Sequence, residues 1–427
     1  MPPATAPDLP TTLAYAPSSA PHARTAATSA ERLHALDALR ALAMFLGVVL
    51  HAALGFMTFD VPFTPVMDAS RSVVFDIIVF FTHAFRMQAF FVVAGYFAAL
   101  LLARRPPGPF LWNRALRIGL PLAVGAVTIV PLTVLPFVLA KNRPLDQVPL
   151  AAYFAAPAHL WFLVYLSVFC IAAALFAAIA ERRSPVGGGL LARAVASPWA
   201  VPLMILPTAL LNLTMPSWSI ETPWQWLPRP ASLAYYGFFF ATGFALHRAG
   251  LVARVGRGWW YLLPLAILVL LPALIYVGTH TKVQFDDAAD FNQVLRRRAA
   301  NIPAILIQAA FTWSMICGLL GLLLRLCNNP RPWVRWLADS SYWVYLLHLP
   351  IVYYLQYRLA QWTIPGLPIG PLAAIIKFTI ILSVTTALCL ITYALLVRPT
   401  PLERIIGGSG KKPRSLNDIP ATPPAGA

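Results

Sequence analysis

Apolar blocks separated by short polar connections dominate the chain. Most of these blocks are roughly 18–30 residues long, the length that a helix needs to cross the hydrocarbon core of a bilayer. Ten-residue segments of alternating hydrophobicity are absent, and helices satisfy their own backbone groups in lipid. The pattern therefore predicts an all-α, polytopic membrane protein with about ten transmembrane helices. The predicted spans lie near 38–58, 72–103, 115–139, 159–180, 199–214, 232–248, 259–278, 303–325, 339–357 and 371–397.

The two ends of the chain depart from this pattern. Residues 1–30 are rich in Ala, Pro, Ser and Thr, and the residues after Ile406 are rich in Gly, Pro and polar side chains. Neither end has helical periodicity, and such composition favours disorder. We therefore predict disordered tails over 1–30 and 407–427, with a single transmembrane domain over 31–406.

Composition excludes a water-soluble protein. Of 427 residues, 59% are hydrophobic and only 11% are charged, and the mean hydropathy is +0.70. A soluble domain of this length needs far more polar surface to cover itself. The formal charge of +17 would suit nucleic acid, but the basic residues are spread over short connections between apolar blocks. Their distribution argues against a nucleic-acid partner and for a lipid bilayer.

The basic residues also predict the orientation. With the N-terminus inside, the inner segments hold more than twice as many Lys and Arg as the outer loops. This bias predicts that both termini are cytoplasmic, in a multi-pass protein of the inner (plasma) membrane. The four cysteines lie in or beside spans without metal-ligand spacing. We predict no metal site and no tightly bound cofactor.

The first predicted span carries two polar residues on one face. His51 follows Arg40 by eleven residues, which is three helical turns and a rise of about 16 Å. Arg40 is therefore expected at the cytoplasmic edge, below a histidine near the middle of the membrane. Asp37 lies one turn before Arg40 and is expected to hold it in place. The alternative for His51 is a packing residue that bonds a neighbouring carbonyl.

Further ionisable residues are predicted at similar depth. His83 and Arg86 fall within the second span and His348 within the ninth. Several such groups at one depth indicate a polar cavity between helices, because each is costly in lipid without a partner. Arg86 in particular requires an anion or several carbonyls.

A pair of arginines opens the third span. Arg114 and Arg117 are one turn apart, so they present two guanidinium groups on one face, beside helix-terminal N–H groups. This arrangement suits phosphate groups. Positive residues at an inner loop also occur for reasons of topology alone, and the sequence leaves both interpretations open.

These segments, in this order, resemble the acyltransferase-3 family of membrane acyltransferases, and the likeness extends over roughly residues 32–400. The stretch from Arg86 through Arg117 most resembles the branch of glucan succinyltransferases that contains glucan biosynthesis protein C. The matching features are the Arg40-to-His51 spacing, the segment FFVVAGY from Phe90, the Arg114-x-x-Arg117 pair, the segment HLWFL from His159, and the segment from Ser341 to His348.

The resemblance implies ten helices with both termini cytoplasmic, in agreement with the count of basic residues. It also implies transfer of a small acyl group, acetyl or succinyl, from a cytoplasmic acyl-CoA to a hydroxyl of a carbohydrate or another cell-envelope acceptor. The acceptor itself does not follow from the resemblance. A homo-oligomer or partner proteins of envelope glycan synthesis are open possibilities.

Acyl transfer needs a base, a donor site and stabilisation of an oxyanion. We expect His51 to be the base, or to carry the acyl group covalently. We expect Arg40, Arg114 and Arg117 to hold the phosphates of coenzyme A. Arg86 or His348 is expected to orient the acyl group or to stabilise the oxyanion. The residues expected to support this site are Asp37, His83, Asp339, Ser341 and Tyr345.

An acceptor site is predicted on the outer side. Glu221 lies in a tryptophan-rich outer loop, and His159 and Trp161 begin the fourth span nearby. Aromatic faces beside polar groups suit a sugar, although interfacial tryptophan also anchors proteins in the bilayer. Two other functions stay open. One is a transporter or exporter of an anionic or glycan substrate, which the many prolines in spans would suit, and the other is a bis-histidine haem protein.

Overall fold

The computed structural model describes residues 22–62, 64–142, 144–180, 189–215, 217–280, 300–327 and 331–406, and the regular secondary structure within these ranges is helical. No strand occurs within these ranges. The long helices are α1 His22–Leu54, α2 Val73–His83, α3 Arg86–Leu102, α4 Pro107–Ala140, α5 Trp161–Ala180, α6 Ala200–Asn212, α7 Pro230–Ala249, α8 Trp259–His280, α9 Ile302–Leu326, α10 Pro332–Ala360 and α11 Pro371–Val397. Shorter turns and helices occur at Leu145–Gln147, Leu150–Phe154, Ala158–Leu160, Leu190–Val195, Val252–Arg254 and Leu402–Ile406.

A helix lies at each of the ten predicted spans. Seven of these helical stretches are long and apolar enough to cross a membrane: α1, α2 with α3, α4, α5, α8, α9 and α11. The other three positions hold α6, which has only 13 residues, and the more polar α7 and α10. The membrane character of the protein is thus confirmed, whereas the count of ten spans and the orientation stay predictions.

The first and last described helices meet at the same end of the helix bundle. His34 and Ile406 line the same cavity, so the first and last described helices begin and end on one side, called here the basic end. α1 begins at His22 and takes in the end of the segment predicted as an N-terminal tail. The rest of that tail and the C-terminal tail lie outside the described residues, and the domain bounds stay predictions.

The second predicted span contains a break. α2 ends at His83 and α3 begins at Arg86. The carbonyl of Ala84, released from the helical ladder, accepts hydrogen bonds of 2.7 Å from both Gln308 and Thr312 of α9. These two polar side chains satisfy the freed carbonyl within the protein, as membrane depth requires. The break therefore depends on a helix more than two hundred residues away.

α3 and α7 pack with their backbones in contact. A Cβ added at Gly95 of α3 would meet the carbonyl oxygen of Phe240, and one added at Gly243 of α7 would meet the carbonyl oxygen of Val92. Without a hydrophobic driving force in lipid, helices associate through such close approach of small residues. This contact fixes the position of α3, and with it that of Arg86.

We predict that Gly95→Ala and Gly243→Ala destabilise the protein, because the added methyl group meets backbone that cannot move aside. Overpacking of this kind costs about 1–3 kcal/mol. The thermal unfolding temperature of the purified protein in detergent is the measurement. Gly119→Ala is the matched control, since a Cβ there meets nothing within 4 Å. An unfolding temperature unchanged in all three variants would contradict the packing role.

Candidate active site

Three histidines from different parts of the chain meet inside the bundle. His51 comes from the last turn of α1, His348 from the middle of α10, and His159 from the turn Ala158–Leu160 that precedes α5. The ring centroids of His51 and His348 are 5.3 Å apart, and those of His348 and His159 are 5.2 Å apart. The three rings therefore form a row with His348 in the centre, and we call this row with Arg86 the histidine chamber.

Backbone carbonyls indicate the tautomers of two of the rings. Nδ1 of His348 lies 2.7 Å from the carbonyl oxygen of Tyr345, so Nδ1 carries the proton. Nε2 of His159 lies 3.1 Å from the carbonyl oxygen of Leu346, so Nε2 carries the proton there. The remaining nitrogens, His348 Nε2 and His159 Nδ1, are buried without a partner, as is Nδ1 of His51. The chamber thus presents nitrogen lone pairs that can accept a proton or a hydrogen bond.

Arg86 places a guanidinium group beside these rings. A Cβ added at Gly47, one turn before His51 on α1, would meet Nη1 of Arg86. Nε of Arg86 is buried without a partner. Among the described residues, none of the ion pairs includes Arg86. An unpaired guanidinium next to a histidine can stabilise negative charge that develops on a substrate.

A cavity of about 880 Å³ opens at the basic end of the bundle. It brings together the three arginines expected to bind phosphate, Arg40, Arg114 and Arg117, and Asp37 and Asp339 line it too. Sequence reasoning missed three further lining residues, Arg104, Arg331 and Arg335. In the sequence these three arginines belong to basic connections between spans, and the sequence analysis used those connections only to predict the orientation.

Local contacts hold the arginines of this cavity. Arg40 forms an ion pair of 3.2 Å with Asp37, as the spacing predicted, and donates to the carbonyl of Ala338 at 3.1 Å. Arg117 donates to the carbonyl of Arg404 at 2.9 Å. Because Ala338 belongs to α10 and Arg404 to the last described helix, both contacts depend on the tertiary fold.

Three helices connect the cavity with the histidine chamber. Met44 on α1, Phe90 on α3 and Tyr342 on α10 all line the cavity. Met44 lies two turns, about 10 Å, before His51 on the same face of α1. Phe90 lies one turn after Arg86 on the same face of α3, and Tyr342 lies six residues before His348 on α10. The same three helices thus contribute residues to both the cavity and the chamber.

Tyr345 supports the chamber directly. Its hydroxyl group donates to the carbonyl of His159 at 2.8 Å, and its own carbonyl accepts from His348. Ser341, by contrast, is fully buried and donates within its own helix to Ala338 at 2.8 Å. The sequence analysis grouped Ser341 with Tyr345, but of the two only Tyr345 contacts the histidines.

Three of the residues predicted to support the site or bind the acceptor make contacts within the protein. Trp161 is 5% exposed and packs in an aromatic cluster with Tyr236. Glu221 forms an ion pair with Arg229 and accepts from Ser232 at 3.0 Å. His83 contacts the carbonyl of Ile220 at 2.7 Å. The acceptor site itself stays a prediction.

The end of α1 is shorter than predicted and is covered by the following segment. The helix ends at Leu54, and the amides of Asp68 and Ser72 donate to the carbonyls of Gly55 and Phe56 just beyond its end. Gln356 of α10 donates to the carbonyl of His51 at 2.8 Å and accepts from Thr64 at 3.1 Å. Residues 55–62 and 64–72, called here the covering segment, therefore lie over the histidine chamber on the side opposite the cavity.

A buried ion pair holds this covering segment. Lys377 of α11 lies 2.8 Å from Asp68, and their side chains are 5% and 4% exposed. The amide of Ser70 also donates to Asp68 at 2.8 Å.

Within the described ranges, no group of three or more His, Cys, Asp or Glu side chains is arranged to hold a metal ion.

Comparison with known proteins agrees with this geometry. A family model described as an acyltransferase domain matches residues 33–394. The chain belongs to the acyltransferase-3 family. The match includes Arg86, the three histidines of the chamber and most of the residues that line the cavity.

Curated relatives of the family match a shorter stretch. The chain is 35% identical over 150 residues to the glucans biosynthesis proteins C of Salmonella paratyphi B, Salmonella heidelberg and Salmonella agona. This stretch is 33% of the chain and 37% of each relative, so the likeness spans little more than a third of their length. No solved structure matches the chain.

We predict that Lys377→Met destabilises the protein by about 3–5 kcal/mol, because it leaves the buried Asp68 carboxylate without a counter-ion. The double variant Asp68→Asn with Lys377→Met is expected to recover most of the lost stability, because it removes both charges. Chemical unfolding in detergent measures both. Asp60→Asn is the control: its ion pair with Arg71 is exposed (79% and 34%), so about 0–1 kcal/mol is expected. Equal effects of Lys377→Met and Asp60→Asn would be inconsistent with a buried, unsolvated pair.

Proposed function

We propose that the protein transfers an acetyl or succinyl group from a cytoplasmic acyl-CoA to a hydroxyl group of a cell-envelope carbohydrate, at the inner membrane. The observation that carries the proposal is that α1, α3 and α10 each contribute both to an arginine-lined cavity and to a chamber with three histidines and an arginine outside any of the described ion pairs. The cavity suits a phosphate-bearing donor, and the chamber suits the chemistry of acyl transfer.

The dimensions support a donor with a long arm. His51 lies about 16 Å along α1 from Arg40. An extended pantetheine arm spans a similar distance, so phosphates bound near Arg40 leave the thioester beside His51. Arg114 and Arg117 line the same cavity and supply further guanidinium groups for the diphosphate.

We assign the base to His51. It removes the proton from the acceptor hydroxyl, whose oxygen attacks the thioester carbonyl carbon. Negative charge develops on the carbonyl oxygen, where Arg86 stabilises it. Collapse of the intermediate breaks the carbon–sulfur bond, and the departing thiolate takes the proton from His51. His348, fixed by the carbonyl of Tyr345, orients the reacting groups. A two-step route through an acylated His51 uses the same residues.

The acceptor class follows from the relatives. They are named for glucans biosynthesis, which supports a carbohydrate as the acceptor. The buried lone pairs of His348 and His159 suit hydrogen-bond donors such as the hydroxyl groups of a sugar.

Transport of an anionic or glycan substrate is the second candidate. The arrangement that favours it is a cavity at one end of the bundle and the covering segment, residues 55–62 and 64–72, at the other. A transporter would move its substrate without cleaving a thioester, so release of free thiol distinguishes the two functions.

We predict that His51→Ala lowers thiol release from acyl-CoA by about 100-fold or more, the usual contribution of a general base. Purified protein in nanodiscs is incubated with acetyl-CoA and succinyl-CoA, with and without extracted envelope glycans, and free thiol is followed over time. Binding of coenzyme A is expected to stay within about twofold, because His51 lies outside the cavity.

His280→Ala is the control for this experiment, since His280 is exposed at the end of α8. It is expected to keep full activity. Binding of acyl-CoA with equal turnover in His51→Ala and wild type would remove the assigned role of His51. Absence of any acyl-CoA binding would refute the proposed donor and favour transport.

A further inference from the structure

A second concavity, called here the lateral groove, lies between residues 169–176 of α5 and 237–248 of α7, with Gly189 beside them. Its volume is about 460 Å³, within the range of about 300–1,000 Å³ that small-ligand sites occupy. Of the eleven described residues that line it, four are phenylalanine, six are alanine or glycine, and only Arg248 is charged. It shares no described lining residue with the arginine cavity. The groove is therefore a separate apolar site with one cation.

The direction of α7 places that cation at the basic end of the bundle. Near the start of α7, the hydroxyl group of Tyr235 lies 3.4 Å from the amide nitrogen of Gln88 on α3. Near its end, the ring centroids of His247 and Tyr96 are 5.0 Å apart. The two helices thus run in the same direction, and the last turn of α3 lines the cavity at the basic end. Arg248, the neighbour of His247, lies at that end too.

The groove is as long as one leaflet of a bilayer. At one end a Cβ added at Gly237 would meet the ring of Phe169 at 3.2 Å. At the other end the guanidinium carbon of Arg248 lies 5.7 Å from the ring centroid of Phe176. The eleven residues from Gly237 to Arg248 rise about 16 Å, and half of the hydrocarbon core is about 15 Å thick. With Arg248 at the headgroups, the groove extends to the middle of the bilayer.

Arg248 lacks a counter-ion in the part of the chain that the structure describes. Its side chain is exposed, and none of the described ion pairs includes it. A guanidinium group next to lipid chains requires an anion, and a headgroup phosphate supplies one at this depth. Lipid chains are as apolar as the groove, so burial alone gives no preference for one lipid. Selection must therefore come from shape and from charge.

We propose that the lateral groove binds one anionic phospholipid, with an acyl chain between α5 and α7 and the headgroup phosphate on Arg248. Alanine and glycine leave the space for the chain, and the charge of Arg248 is complementary to the headgroup. The basic end is predicted to be cytoplasmic, and the cytoplasmic leaflet is the one whose surface is negative. Because the groove is separate from the arginine cavity, this inference goes beyond the proposed function and does not depend on it.

The proposal predicts how two phospholipids with identical chains compare. Native mass spectrometry of the full chain in detergent, titrated with phosphatidylglycerol or phosphatidylcholine, measures the dissociation constant of the first lipid bound. Wild-type protein is expected to bind phosphatidylglycerol about fivefold more tightly, the effect of one arginine at a membrane surface. In Arg248→Gln this ratio falls to about one. Ala241→Phe places a ring in the groove and weakens both lipids about tenfold, because the chain loses its packing contacts.

Arg254→Gln and Ala234→Phe are the matched controls. Arg254 is exposed in the turn that follows α7, Ala234 is exposed on α7 itself, and neither lines the groove. Both variants are expected to bind the two lipids as wild type does. Unfolding temperatures equal to that of wild type verify that the variants are folded.

Three outcomes would overturn the proposal. Equal binding of the two lipids by wild-type protein, or a ratio unchanged in Arg248→Gln, would remove the headgroup contact. A ratio lowered as much by Arg254→Gln as by Arg248→Gln would show a general effect of positive charge at the basic end. Unchanged lipid binding in Ala241→Phe would place the lipid elsewhere, and a wild-type dimer that this variant dissociates would assign the groove to a second copy of the chain.

Discussion

The cost of placing polar groups where water cannot reach them governs this structure. An ionisable side chain in the apolar interior requires a partner, a carbonyl or a ligand. Lys377 has Asp68, and the carbonyl of Ala84 has Gln308 and Thr312. Arg86 and the three histidines instead keep buried nitrogen atoms without partners. Under the proposed function these four side chains find their missing partners in the substrates.

Close helix packing puts these groups in one place. α1 packs against both α3 and α10, and the absence of a side chain at Gly47 leaves room for the guanidinium group of Arg86. Gly95 and Gly243 let the backbones of α3 and α7 touch, which fixes α3. The break between α2 and α3 then starts α3 at Arg86. Small residues and a helix break thus build the chamber without contributing to its chemistry.

The site is open to the basic end and covered at the other. The arginine cavity lies beside the described chain ends, and its lining includes Met44, Phe90 and Tyr342. Residues 55–62 and 64–72 lie over His51, held by Gln356 and by the buried ion pair. Under the proposed function the donor enters from the basic end, and an acceptor from the other side requires the covering segment to move.

Helical periodicity and the length of the apolar blocks were sufficient to predict the positions of the helices and the contacts within them. They predicted helices at all ten positions, the Asp37–Arg40 ion pair and the common face of Arg40 and His51, because these depend on neighbours within a few turns. The family resemblance rested on the same short segments. Spacing also grouped Arg114 with Arg117, and both line the cavity.

The tertiary structure decided which distant residues meet, since helix packing joins positions that no local pattern relates. His159 joined the row of histidines because the turn before α5 packs against α10, whereas Trp161, two residues later, entered an aromatic cluster. Arg331 and Arg335 became cavity residues because α10 carries them past Arg40. Ser341 and Tyr345 share a helix, yet only Tyr345 faces His159. One sequence contains the helices; contacts between helices hundreds of residues apart determine which polar groups are satisfied and which are left for a substrate.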